Sequence, residues 1–396
     1  DRGEEHLAKD GHMPVDRGGR ELIPQQHRSG LGDGRAADLG QRQRRDRCEP
    51  PERALLNMNQ AKDLIFVTGS YGVGYDSNVF TRSAGQHSFT QNASAAVDYS
   101  RQAGLIGVTV NASVSAGRFD AVAGQNYLDP RIAVALRKRY GRTTGAVSFS
   151  SQRESQPDPD AGERTRSWNF VSALDLRYPV NDRYYLTNNF RAASRQYADS
   201  SVFSDLTTYT NAIAVNYIYT SKLDLNAGYT LTVSDTTGET SAYDQSFTVG
   251  ATGSILPKLS GTVRMGAQQR NNQSATAGRE HFNAFTSGTS LKWAYSRNFA
   301  VLADLNEDFS TTSTDISVNR ASIGLHATAT FASRLACTAG PTYISSDYLG
   351  EAGGGRRDDL IQFDANLTVS ITKNIRASTA YVYMNNNSNS PRADFE

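Results

Sequence analysis

Histidine is scarce after residue 60, occurring only at His87, His281 and His326. A hydrolytic site needs a nucleophile, a base and a group that orients the base. Only His326 lies inside an alternating stretch, on its polar face near Ser322, Thr328 and Thr330. That setting reads as a solvated histidine, so no catalytic residue is assigned. Carboxylates gather between Asp158 and Glu163, and closely spaced carboxylates suit a hard cation such as calcium. Their spacing is not that of a calcium loop, and Pro157 and Pro159 favour a solvated turn, so no metal site is assigned. Gly69-Ser70-Tyr71-Gly72-Val73-Gly74 spaces its glycines like a phosphate loop, but no helix pattern follows it. Gly353 to Arg357 lacks the Gly-Lys-Ser/Thr ending and reads as a flexible loop. The two cysteines, Cys48 and Cys337, have no metal-ligand neighbours. No nucleotide or metal cofactor is implied.

The remaining chemistry is charge at regular spacing. Asp98, Arg137, Asp175, Arg177, Arg191, Asp224, Arg264, Lys292, Asp304, Arg320, Asp364 and Arg376 fall on the polar side of alternating segments. Both signs are present, with a modest cationic excess. Such residues either pair across a β-wall or form charge rings that set ion preference in an aqueous pore.

The elements that would position them are marked by turns. Eight short polar turns, centred at 102, 141, 181, 221, 257, 297, 333 and 373, recur every 36 to 40 residues. Between neighbouring turns lie two alternating segments and a longer polar connection. Leu223, Leu225, Ala227, Tyr229, Leu231 and Val233 point one way, while Asp224, Asn226, Gly228, Thr230 and Thr232 point the other. Ile361 to Ile371 repeats the pattern. A closed soluble core of this size needs far more large aliphatic residues. An apolar outside and a wet inside fit better, with short turns on one rim and long loops on the other.

The spacing predicts an all-β protein, a transmembrane antiparallel up-and-down β-barrel spanning residues 63–396. Seventeen strands are counted. Single-chain bacterial barrels have even strand numbers, so the expectation is an eighteen-stranded barrel whose closing strand is missing. Sixteen to eighteen strands leave room for a water-filled channel. Tyr99, Tyr140, Tyr178, Tyr184, Tyr217, Tyr219, Trp293, Tyr295, Phe299 and Phe331 cluster beside the short turns, where amphipathic rings would sit at the membrane interface. A looser set, Phe80, Tyr197, Phe203, Phe282, Phe309 and Tyr348, flanks the long connections and is expected to form the second belt. The segments Gln152–Thr165, Ser234–Ala242, Asn271–Arg279 and Ser346–Asp359 are expected to be mobile external loops. None is an obvious plug.

The mean hydropathy of −0.52 does not oppose this, because a barrel strand needs only alternate apolar residues. No run of 18 apolar residues exists that could form a transmembrane helix. The net charge of +1 argues against a nucleic-acid partner. Residues 1–62 are densely charged with both signs and almost without aromatics, and read as a disordered or non-native extension. No export signal is visible in them.

The first hairpin, Gly72-Val73-Gly74-Tyr75-Asp76-Ser77-Asn78-Val79-Phe80, resembles the opening of the outer-membrane β-barrel porins grouped as β-barrel porin 2. Tyr381-Val382-Tyr383-Met384-Asn385-Asn386-Asn387-Ser388-Asn389, followed by Ala393-Asp394-Phe395, resembles their last hairpin. The resemblance implies a bacterial outer-membrane location and, for some members, an association with exopolysaccharide export. The expected function is a non-enzymatic channel for passive passage of small polar solutes or polysaccharide, with outer-membrane lipid as its surroundings. The alternative is a non-conducting structural or surface-interaction barrel, and less so a barrel hydrolase.

Overall fold

The computed structural model describes residues 64–395 except Ala84, 159–162, 199–202, 238–239, 275–277, 332–333 and 391–392. The charged segment 1–62, Cys48 and most of the carboxylate cluster after Asp158 lie outside the described residues.

Seventeen strands follow one another: β1 (Leu64–Asp76), β2 (Ser88–Ala103), β3 (Ile106–Phe119), β4 (Tyr127–Lys138), β5 (Thr144–Asp158), β6 (Glu163–Pro179), β7 (Tyr184–Tyr197), β8 (Leu206–Thr220) and β9 (Leu223–Thr236). They continue as β10 (Thr240–Leu256), β11 (Leu259–Ser274), β12 (Gly278–Ala294), β13 (Phe299–Thr311), β14 (Ser317–Phe331), β15 (Leu335–Tyr348), β16 (Arg357–Ser370) and β17 (Arg376–Ser388). One helical turn, α1 (Gly350–Gly353), joins β15 to β16. Each strand pairs antiparallel with its chain neighbours from β1 to β17. Among the described residues no ladder joins β17 to β1, so the sheet is not closed there. The Asn386 and Phe395 backbones exchange hydrogen bonds of 2.8 and 3.1 Å, which extends pairing past β17.

Seven of the eight short turns stand where the spacing predicts them, and the turn centred at 333 lies largely outside the described residues. Gly104 lies in the two-residue turn that joins β2 to β3, with φ +60, a conformation that costs glycine nothing.

The other rim differs from expectation. Gln152–Thr165, Ser234–Ala242 and Asn271–Arg279 are mostly strand, because β5, β6, β9, β10, β11 and β12 run on into them. Polar pairs extend the ladders: Ser241 Oγ donates to Asp235 Oδ1 at 2.6 Å and Arg164 Nη2 to Ser155 O at 2.7 Å, and His281 contacts Asn271. Both faces are polar at this height, so the sequence loses its two-residue contrast although the backbone keeps pairing. Only Ser346–Asp359 keeps a true loop, around α1.

Cross-strand partners share a face. One face carries Val67 (75% exposed), Phe247 (65%) and Val249 (61%), apolar side chains standing free in the sheet's middle strands and its edge. The other face is marked by hydrogen bonds that skip a strand. Tyr185 Oη donates to Asp224 Oδ2 at 2.7 Å across β8, and His326 Nε2 lies 2.9 Å from Asp364 Oδ1 across β15. Arg195 Nη2 donates to Glu154 Oε2 at 3.1 Å across β6. Such reach is possible only on the concave side of a curved wall. Gly340 makes room for the histidine pair: a Cβ there would lie 2.9 Å from His326 Cδ2. Apolar side chains therefore face out and polar ones face in, the arrangement of a wall between lipid and water.

Candidate functional site: the concave face and its inward strap

Register carries the twelve predicted charged residues to the concave face. One row runs Asp224, Thr252, Thr262, Ser290, Asp304, Gly324 through directly paired residues of β9 to β14. Another links Arg137, Ala146, Asp175 and Asn189 from β4 to β7. Arg191, Lys292, Asp304 and Arg376 are exposed there, open to solvent. Others are tied into the wall. Asp98 accepts from Asn111 Nδ2 at 2.7 Å, Asp224 from Tyr185, and Arg320 Nε donates to Ser346 Oγ at 3.2 Å. The Arg177 guanidinium stacks 3.8 Å from the Tyr185 ring centroid. His326 is paired with a carboxylate, and among the described residues no hydroxyl bonds to it.

The predicted aromatics sit on the outer face at the short-turn end or in those turns. Tyr184 and Tyr217 pack at 5.0 Å, Trp293 and Tyr295 at 5.5 Å, and Tyr295 and Phe299 at 6.3 Å between centroids. Tyr99, Tyr140, Tyr178, Tyr219 and Phe331 continue the band. The second belt does not form as expected. Tyr197, Phe203 and Tyr348 are buried, and Phe282 lies on the concave face by register. The outward aromatics toward the long-connection rim are instead Phe89, Trp168, Tyr209, Tyr243 and Tyr343. Strand ends drew the expectation; face parity, read through the registers, decides it.

The least expected feature is a strap. β12 and β13 pair only from Ser287↔Glu307 to Ala294↔Ala300. Beyond that point β12 stays with β11, while β13 continues with β14 alone. The released end of the β13–β14 hairpin lies over the inner face of β11. Arg270 Nη1 donates to Ser310 O at 2.6 Å, and Asn272 Nδ2 to Ser317 Oγ at 2.9 Å. Gln268 fills the split: its Nε2 donates to Phe285 O at 2.9 Å and its Oε1 accepts from Phe309 N at 3.3 Å, replacing lost ladder bonds. Arg270, 1% exposed, also makes a bidentate pair with Asp244 at 2.6 and 2.7 Å. Its guanidinium lies 5.3 Å from the Phe309 ring centroid.

The hairpin tip reaches further round. Ser204 N donates to Ser313 O at 2.9 Å, and Thr236 Oγ1 to Asp315 Oδ1 at 2.6 Å. These contacts join the β13–β14 tip to the ends of β8 and β9, so the hairpin spans the inner side of β10 to β12. From the other flank, Leu349 N donates to Ser317 O at 2.8 Å and Glu351 N to Glu280 Oε1 at 3.3 Å. Under and along the strap, polar atoms of Arg264, Asn272, Ser287 and Thr311 are buried without a hydrogen-bond partner among the described residues. A polar interior of this kind is one that water serves. Arg264, expected as an open lumen charge, is thus half covered. Residues the sequence reading missed, Asp244, Gln268 and Arg270, share the parity of Arg264. That parity was the available signal, hidden because 271–279 reads as loop.

Residues 235–396 match the model of the family described as Putative beta-barrel porin 2. No match was found among curated proteins. Among solved structures, the FrpB iron transporter from Neisseria meningitidis (F5-1 variant) is similar with a TM-score of 0.51 at 8% identity, over 84% of this chain and 64% of that one. The alcaligin outer-membrane receptor FauA from Bordetella pertussis gives 0.42 at 11%, over 83% and 61%. Pseudomonas aeruginosa OccK2 gives 0.46 at 11%, over 85% and 95%. The chain spans about 61–64% of the length of the first of these structures. Fold and family match define the class as an outer-membrane β-barrel protein of the bacterial outer membrane. Over residues 235–396 its likeness is to the family described as Putative beta-barrel porin 2.

Proposed function

We propose that the protein is a passive channel for small polar solutes, whose narrow zone is the inward β13–β14 strap. The observation that carries this reading is the concave face itself. It bears Arg191, Lys292 and Asp304 exposed to water, opposite a convex face of bare apolar side chains. Charged side chains that line an aqueous pore bias which ions pass through it. Polysaccharide is a second solute class, and rests on the family resemblance alone. No chemical step is required of the protein.

The test is single-channel recording after refolding into planar bilayers, comparing wild type with Arg191→Glu and Lys292→Glu together. Steady conductance that shifts toward cation selectivity is expected. Conductance with unchanged selectivity would defeat the assigned lining. The strap favours one other reading, a barrel held shut that acts through its outer loops. A folded barrel with no current, even after the strap contacts are removed, would select it.

A further inference from the structure

The two rims carry different charge. Lys222, Lys258, Arg297, Arg334 and Lys373 stand one in each of five successive short turns. Arg101, Arg139 and Arg183 serve the other three, and Asp182 is the one carboxylate among these turn segments. The side chains are exposed, and among the described residues Lys222, Lys258, Arg297, Arg334 and Lys373 make no salt bridge. On the opposite rim cations lie beside carboxylates: Arg356 with Asp358 at 2.5 Å, Arg118 with Asp120 at 3.7 Å, and Arg357 with Asp347 and Asp359 at 3.6 and 3.7 Å.

We propose that the short-turn rim is a cationic collar that holds the phosphate headgroups of anionic phospholipid in the leaflet it borders. Three observations select lipid over other anions. First, the charges occur at every turn, so they encircle the wall; a docked protein would be met by a patch on one sector, whereas a leaflet surrounds the barrel. Second, Arg101, the one collar residue that a ladder holds, points outward, as does Lys138 beside Arg139. Arg101 pairs with Val108 and Lys138 with Ile106, both on the apolar convex face, so these cations front the bilayer and not the concave side. Third, they are set at headgroup depth by the aromatic band. The Arg142 guanidinium lies 4.9 Å from the Tyr178 ring centroid, and Lys258 Nζ lies 5.5 Å from that of Tyr295 while donating to Tyr295 O at 2.9 Å. A ring whose face holds the cation and whose body sits in the interface places that charge level with lipid phosphate. Attraction of this kind is summed over many weak contacts and screened by salt.

The inference rests on the membrane-barrel reading but not on conduction. The experiment inserts the full chain into phosphatidylcholine vesicles with trace spin-labelled phosphatidylglycerol or phosphatidylcholine, and compares the motionally restricted fraction of each. A preference for phosphatidylglycerol of ~threefold or more is expected, falling toward unity at 0.5 M salt, where the Debye length shrinks to about 4 Å from about 10 Å at 0.1 M. Replacing Lys222, Lys258, Arg297, Arg334 and Lys373 with Gln should abolish it. Replacing Arg118 and Arg279 on the other rim should leave it intact. Equal association of both lipids, or a preference that survives the five replacements, overturns the collar. So does a fivefold variant that alters ion selectivity while lipid preference is unchanged, since the charges would then serve the pore. Failure to enter the bilayer at all would count against the barrel reading as well, which separates the two.

Discussion

Single residues in this wall differ in what their removal exposes. Arg270 is buried and satisfies both oxygens of Asp244 and the Ser310 carbonyl. Arg270→Ala would strand a carboxylate and a carbonyl together, and a loss of about 3 kcal/mol is expected, read from denaturant midpoints of the folded barrel. Arg195 and Glu154 pair at 3.1 Å, but their side chains are 31% and 22% exposed, so water softens the loss. Arg195→Ala should cost about 1 kcal/mol or less. On the convex face, Asn188 Nδ2 donates to Asn211 Oδ1 at 2.8 Å between β7 and β8. Asn188→Leu alone leaves an amide without a partner toward lipid, at about 1–3 kcal/mol. The double variant with Asn211→Leu should recover most of that stability, and a failure to recover would show that the pair is not shielded from water.

Among elements, the β13–β14 hairpin is the one that departs from a simple meander. It leaves β12 above Glu307 because inward side chains of β11 offer it partners as good as a ladder: the Gln268 amide, the Arg270 guanidinium and the Asn272 amide. Its far end depends on a few contacts to Ser204 and Thr236. Asp315→Ala combined with Thr236→Ala removes the side-chain contact between the hairpin tip and the end of β9 while leaving the backbone ladders in place. Single-channel conductance should rise by ~twofold as the mouth widens, if conductance follows the free cross-section of the narrow zone. A cysteine pair at Ser204 and Ser313, oxidised, should hold conductance at or below the wild-type level and regain it on reduction. No change in the double-alanine variant would place the narrow zone elsewhere.

At the scale of the whole molecule, the decisive property is that the two faces of one sheet meet different solvents. Val249 and Thr248 are neighbours in β10, yet Val249 stands on the convex face and Thr248 on the concave one. Val249→Arg should destabilise the membrane-inserted barrel by about 2–4 kcal/mol, as expected for a cation in the hydrocarbon layer, whereas Thr248→Arg should be nearly neutral. Heat-modifiable gel mobility across urea reads both. Equal costs would mean that the convex face does not meet lipid.

The sequence by itself determined the repeating unit. Turn residues such as Ala103-Gly104, Asn181-Asp182 and Pro257-Lys258 punctuate the chain locally, and period-two alternation in segments such as Leu223–Val233 fixes which side chains share a face. Both are short-range properties, so strand number, turn positions and the facing of Asp224 or Lys292 were legible. The upper strand ends were not, because residues such as Asn271, Asn272 and Gln273 are polar on both sides and carry no contrast. Nor was the strap, since β13 and β14 alternate like any other pair. Only the tertiary structure decided that β13 exchanges β12 for the side chains of β11, that Tyr197 and Tyr348 turn inward, and that Arg264 lies beneath a hairpin. Those outcomes depend on contacts between segments far apart in sequence, as between Arg270 and Ser310 or between Ser204 and Ser313, and the energies that choose among such pairings leave no periodic mark on the chain.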